Sequence, residues 1–113
     1  MIWYVVRDLE AARAFYAGDL EFGVESSNAE EGWVSLSRGK TAIGLREGAP
    51  DPEGQVAVID VEDAKAEAEK LRARGVEVGV VLELHDQVRL VDVFDPDGNR
   101  LQLLQDCADD EPE

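Results

Sequence analysis

The chain is short of several residue types, and each shortage removes a class of protein. It has one cysteine, Cys107, among 113 residues, so no internal disulfide can form and no Cys-Cys or Cys-His spacing for zinc exists. Cys107 also stands beside Asp106 and ahead of further acids, where like charge disfavours its thiolate, and it is read as inert. There is one histidine, His85, which leaves Ser26, Ser27, Ser35 and Ser37 without a nearby general base, and neither G-x-S-x-G nor a glycine-rich phosphate loop occurs. Basic residues are scarce: 11 Lys and Arg stand against 26 Asp and Glu, a formal net charge of −15, and only Lys40, Lys65 and Lys70 are lysines. That balance argues against nucleic acid or an anionic membrane as partner, and it would also suit a high-salt cytoplasm. Long apolar runs are missing too. The apolar start at residues 1–6 meets Arg7 and Asp8 at once and has no basic leader, so it is read as a strand and not as a signal peptide or a span. A chain of this length is expected to be one domain, placed by its cysteine usage in a reducing cytoplasm.

What the sequence has is punctuation. Asp95-Pro96-Asp97-Gly98-Asn99 combines a proline that presets φ with residues that tolerate positive φ, so the chain must reverse and enter the apolar stretch 101–104 as a strand. Upstream, the aromatic and β-branched stretch 2–6 reads as a strand. Asp8 follows as a helix N-cap, and Leu9, Ala12, Phe15 and Tyr16 share one helical face up to Gly18 or Asp19. Residues 22–25 begin a second strand before a polar turn at 26–31, and 33–37 and 41–46 alternate as strands about the Arg38-Gly39-Lys40 turn. Residues 47–54 (EGAPDPEG) form a linker. The order then repeats: a strand at 55–61, Asp63 as N-cap, a helix at 64–74 with Ala64, Ala68 and Leu71 inward, Gly75 at its C′ position, and strands at 76–82, 88–94 and 101–105. Asp8 and Asp63 are 55 residues apart, as an internal duplication would place them. The expected organisation is one domain over residues 1–105, with module one at 1–46, module two at 55–105, and an acidic disordered tail at 106–113.

This pattern resembles the vicinal oxygen chelate superfamily: glyoxalase I, extradiol dioxygenases, and the fosfomycin-type and bleomycin-type resistance proteins. The resemblance rests on the DPDGN turn with its closing strand, the Phe15-Tyr16 helix, the Leu71-Arg72-Ala73-Arg74-Gly75-Val76 helix end and the βαβββ repeat. It implies an α+β fold in which two βαβββ modules form a curved mixed sheet with a concave pocket. It also implies a homodimer, since small members of the superfamily commonly pair.

In metal-dependent members, four inward side chains drawn from His, Glu and Gln hold a divalent cation, one from the first and last strand of each module. Carried over by the matching turns, those positions fall at Met1, Gly44, Val56 and Gln102. Only Gln102 offers an oxygen donor, so no metal ligand set and no cofactor are expected, although Gln55 beside Val56 would enter after a one-residue slip. Strand parity then carries the concave face to Trp3, Arg46, Asp60, Arg100 and Gln102. A mostly apolar cleft with a few polar fixtures is the usual make-up of a small-molecule site. Trp3 is suited to stack a flat ring, and Arg46 or Arg100 to pair with an anionic group; each is equally at home as ordinary structure. Gly44 is expected to open space for a bulkier ligand. His85, between two strands of module two, is either a plain loop residue or a donor or acid/base at the pocket rim.

The leading expectation is a metal-independent, cytoplasmic, glyoxalase- and bleomycin-resistance-like protein. It would bind a small aromatic or anionic molecule through Trp3, Arg46, Asp60, Arg100, Gln102 and His85. The competing expectation is an enzyme, a divalent-metal-dependent lyase, isomerase or dioxygenase with atypical ligands. A third is a subunit whose sheet serves chiefly as an interaction surface. Whether a reaction is catalysed stays open at this point.

Overall fold

Apolar residues buried at every second position of most strands write two sheets into this chain, and the same capping chemistry starts both helices. The computed structural model describes residues 1–51, 54–85 and 87–106. Strand β1 (Ile2–Val6) leads to Asp8, whose carboxylate accepts from the Ala11 amide at 3.1 Å and so caps α1 (Leu9–Ala14). The helix widens into a π-helical turn over Phe15–Asp19, closed by Leu20 N–H on the Phe15 carbonyl. Strands β2 (Gly23–Asn28), β3 (Trp33–Arg38) and β4 (Thr41–Glu47) complete the first module. The second repeats it with β5 (Ala57–Asp60), α2 (Ala64–Ala73), β6 (Glu77–Leu84), β7 (Val88–Phe94) and β8 (Arg100–Asp106). Here Asp63 caps α2 by accepting from Ala66 N–H at 3.1 Å, and Gly75 follows at φ 83°.

Each module is a four-stranded mixed sheet, ordered β1-β4-β3-β2 in the first and β5-β8-β7-β6 in the second. β1 runs parallel to β4 and β5 parallel to β8, while the other pairs are antiparallel. The outermost strand of each sheet carries a bulge, between Val24 and Ser26 in β2 and between Val78 and Val81 in β6. Such bulges bend and twist an edge strand, which curves the sheet. One face of each sheet is core: Tyr4, Val6, Leu36, Ile43 and Leu45 lie under Ala12, Phe15 and Tyr16, and Ile59, Val91, Leu101 and Leu103 under Ala64, Ala68 and Leu71. The opposite face of each sheet is open, and the molecule measures 54 × 24 × 23 Å.

The modules are joined by polar contacts that begin at the DPDGN turn. Asp95 accepts from the amides of Asp97 and Asn99, from Asn99 Nδ2, and from the Tyr16 hydroxyl of module one at 2.7 Å. Asn99 Nδ2 also donates to the Val5 carbonyl, and the Tyr4 hydroxyl donates to Arg100 O at 2.6 Å while accepting from Ala57 N–H at 2.8 Å. Burial, above all, raises the pKa of Tyr16 and Tyr4, so both hydroxyls stay protonated and able to donate.

Several boundaries differ from the sequence-based expectation. β2 runs on to Asn28, through half of the expected polar turn, because an edge strand needs no apolar face and Ser26 pairs its hydroxyl with Ser35 at 2.8 Å. β5 is shorter than expected, Ala57–Asp60, and β6 starts and ends later, at Glu77–Leu84. Asp106 belongs to β8, not to a tail. Cys107 and the rest of the expected tail lie outside the described residues.

Candidate functional site

The site is built on the open face of the first sheet, where two cross-strand rows meet. Register places Val5, Arg46 and Trp33 side by side in one row and Trp3, Gly44 and Ser35 in the next. Gly44 presents no side chain, and the Trp3 indole lies down into that space: a Cβ on Gly44 would sit 2.4 Å from Trp3 Cε3. The expectation that Gly44 leaves room for a ligand is therefore corrected, since that room is taken by Trp3. Held there, the Trp3 ring meets Trp33 edge to face, with centroids 6.3 Å apart and planes at 82°.

The turn between β2 and β3 supplies the other wall. Asn28 Oδ1 accepts from Glu31 N–H at 3.0 Å, Gly32 takes φ 75° and donates its N–H to the Asn28 carbonyl, and the chain is thereby folded back on itself. This sets Glu31 so that its Oε2 accepts from Trp33 Nε1 at 3.1 Å. Trp3, Val5, Glu31, Trp33 and Arg46 enclose a hollow of about 480 Å³. Trp3 is 46 % exposed within it. Arg46 is exposed, and among the described residues its guanidinium has no hydrogen bond or ion pair.

The structure divides the six residues expected to share one pocket. Trp3 and Arg46 meet in this hollow. Arg100 and Gln102 lie on the open face of the second sheet, where Asp92 accepts from Gln102 Nε2 at 3.1 Å and sits 3.5 Å from Arg100 Nη1. Asp60 borders a different cleft of about 430 Å³ with Arg38, Glu62, Glu67 and Lys70. Arg38 there donates to Glu67 at 2.9 Å and to the Leu20 carbonyl at 3.0 Å. His85 stands in the β6–β7 turn at φ 53°, closed by Gln87 N–H on the Leu84 carbonyl, and does not line the hollow. Glu31 was absent from the expected set. Its signal was the Asn28-to-Gly32 turn immediately ahead of Trp33, read only as polar punctuation.

The donor set does not fit the metal centre that the resemblance implies. At the four carried-over positions stand an exposed thioether, a glycine covered by an indole, a valine, and an amide already engaged with Asp92. Among the described residues no three His, Cys, Asp or Glu side chains converge in a way that could hold a metal ion.

Two bulged βαβββ sheets in tandem, one of them bearing an aromatic hollow on its open face, define the class of α+β protein by its fold. Within that class the family model for the Glyoxalase/Bleomycin resistance protein/Dioxygenase superfamily matches residues 1–103, and the chain belongs to that superfamily. Solved structures agree on the fold. An integron cassette protein from the mobile metagenome of the Halifax Harbour sewage outfall has 21 % identity and a TM-score of 0.80, over 92 % of this chain and 94 % of that one. A bleomycin resistance determinant encoded on transposon Tn5 has 22 % identity and a TM-score of 0.74, over 93 % and 94 % of the two chains. A fosfomycin resistance protein, FosX, from Listeria monocytogenes, solved with Mn(II) and sulfate, has 17 % identity and a TM-score of 0.76, over 96 % and 89 %. No curated protein matches the chain in sequence. Among the described residues no helix is long and apolar enough to cross a membrane.

Proposed function

We propose that this chain is a metal-independent, cytoplasmic member of its superfamily that binds a small aromatic or anionic molecule in the Trp3–Trp33 hollow and acts as a homodimer. The observation that carries the reading is the Arg46 guanidinium, without a partner among the described residues, beside two perpendicular indoles. A flat ring that enters this hollow displaces water from two partly exposed indoles and gains stacking and a charge-assisted bond to Arg46. Sequestering a ligand in this way needs no catalytic group. The absence of oxygen and imidazole donors at Met1, Gly44 and Val56 supports metal independence. The bleomycin resistance determinant among the structural neighbours shares this fold. On this reading Asp60, Arg100, Gln102 and His85 contribute less than Trp3 and Arg46, unless a second copy brings its own second sheet over the hollow.

The test is a titration with 2-naphthoate, followed by Trp emission and by thermal unfolding. Saturable quenching with a rise in midpoint is expected, because a ligand that binds only the folded state stabilises it by mass action. Arg46→Ala should weaken it. A metal content near one per chain, with saturable stabilisation by Ni²⁺, Zn²⁺, Mn²⁺ or Fe²⁺, would instead restore the metal-enzyme reading.

A further inference from the structure

The hollow contains two charges of opposite sign that do not meet. Glu31 and Arg46 both line the same space of about 480 Å³, yet no ion pair or hydrogen bond joins them. Glu31 is held away by its bond to Trp33 Nε1, which uses Oε2 and leaves Oε1 without a partner among the described residues. Arg46 is held apart by strand register, in the row between Val5 and Trp33. Several Arg and Lys side chains elsewhere on this surface pair with neighbouring carboxylates, as in Arg7–Asp97, Arg38–Glu67, Lys65–Glu83 and Lys70–Glu21, whereas Arg46, with an acid beside it in the same hollow, does not. An acceptor and a guanidinium kept apart across an aromatic floor are placed to be bridged by something else.

Resting on the reading that this hollow binds a small molecule, we propose that its ligand is amphoteric: a flat aromatic body with an anionic group for Arg46 and a cationic or N–H group for Glu31. The field of the whole chain favours the same choice. At −15 the protein repels a simple anion as it approaches, and a simple cation, though attracted over the Debye length of about 8 Å at physiological salt, meets Arg46 on arrival. A ligand without net charge feels no monopole repulsion and satisfies both local charges. Glu31 has a second role, since its bond to the indole N–H fixes the edge-to-face angle of Trp33 and so couples the donor position to the stacking surface.

The experiment uses matched probes that differ only in charge: 4-(aminomethyl)benzoate, 4-methylbenzoate and 4-methylbenzylamine, and the corresponding naphthalene trio for a longer separation. Binding to the full chain is read by Trp emission and equilibrium dialysis. In one trio or the other, the zwitterion should bind about fivefold tighter than either singly charged analogue, the scale of one partly exposed ion pair. Arg46→Gln should abolish its advantage over the amine. Glu31→Gln, whose amide oxygen can still accept from Trp33 Nε1, should abolish its advantage over the acid. If the acid binds as tightly as the zwitterion and Glu31→Gln changes nothing, the amphoteric assignment falls and the aromatic-anion site stands. If the three members of each trio bind equally and both variants are silent, it falls likewise. Failure of all six probes and of 2-naphthoate to bind the folded protein would overturn the site itself.

Discussion

Gly44 shows how one missing side chain arranges a surface. Its register partners Trp3 and Ser35 flank a gap in the sheet, and the indole of Trp3 fills it. Gly44→Ala places a methyl inside the ring's position, so the indole must swing out toward solvent. The expected outcome is a red-shifted Trp emission, a lost Trp3–Trp33 signature in near-ultraviolet circular dichroism, and a cost of about 1 kcal/mol, the low end for overpacking because the ring is partly exposed and free to move. Unchanged spectra would show that Trp3 does not rest on Gly44. Tyr16 is the second decisive residue, with its hydroxyl on Asp95 at 2.7 Å and no exposed surface. Tyr16→Phe should cost roughly 1.5–3 kcal/mol in urea unfolding, the range for a hydrogen bond to a charged acceptor. Its pH signature has a definite sign. Burial first, and then Asp95, raise the folded-state pKa of Tyr16 above the ordinary value of 10.0. The folded state therefore holds its proton more tightly than the unfolded one, and the stabilisation is complete below pH 10.0 and lost as pH rises above it. Tyr4 shifts in the same direction. Stability should be flat in this respect through neutral pH and fall above 10.0, less steeply in Tyr16→Phe than in the parent chain.

At the scale of elements, the two modules start their helices with the same device, Asp8 on Ala11 N–H and Asp63 on Ala66 N–H, each at 3.1 Å. α2 has a further support, since Gln105 Oε1 accepts from the buried Ala64 N–H at 2.8 Å. Asp63→Ala is expected to cost about 1 kcal/mol, the typical loss for an N-cap, as read from the urea midpoint. Gln105→Leu should cost more, because it strands a buried donor. These caps, the apolar faces of both helices and the alternation of β3, β4, β7 and β8 were legible in the sequence, because each is written in residues close together. β7 was placed end for end. Less was legible where partners are distant or where no apolar face is required. The continuation of β2 to Asn28 depends on pairing with β3 across a bulge, which no local pattern announces. The site was legible by half. Parity put Trp3 and Arg46 on the open face, but the fate of Gly44 depended on a rotamer of Trp3, and Glu31 reached the hollow only through the geometry of a turn. Parity also grouped Asp60, Arg100 and Gln102 of the second module with them, and could not tell that the open face of that module's sheet does not line this hollow.

The whole molecule combines a large charge with uncovered apolar faces, and these pull in opposite directions. A formal −15 on one small chain repels itself when folded, so the thermal midpoint should rise from low to molar KCl as screening removes that repulsion; a flat profile would mean that the acids are spaced widely enough not to matter. Against this, the open face of the second sheet carries a continuous row in register, Leu82, Leu90 and Leu104, bordered by Val80 and Leu84. Val80, Leu82 and Leu84 are 72 %, 51 % and 45 % exposed. Single exposed apolar residues are ordinary, but a contiguous apolar row on a sheet face marks an interaction surface. A second copy is the occupant consistent with the proposed homodimer, and a twofold contact would cover this row on both chains at once. Its apolar core would have to outweigh the repulsion between two acidic chains, so salt should strengthen the association as well as the fold. Sedimentation at micromolar concentration is expected to show two chains per particle, with the dimer fraction increasing in KCl. Leu82→Glu adds a charge at the edge-strand end of the row, between Val80 and Leu84, and should shift the particle to a single chain while leaving the far-ultraviolet spectrum unchanged, since the side chain is not in the core. A parent chain that sediments singly at every salt concentration would leave the row uncovered and defeat the homodimer. A Leu82→Glu variant that still pairs would move the contact to another face.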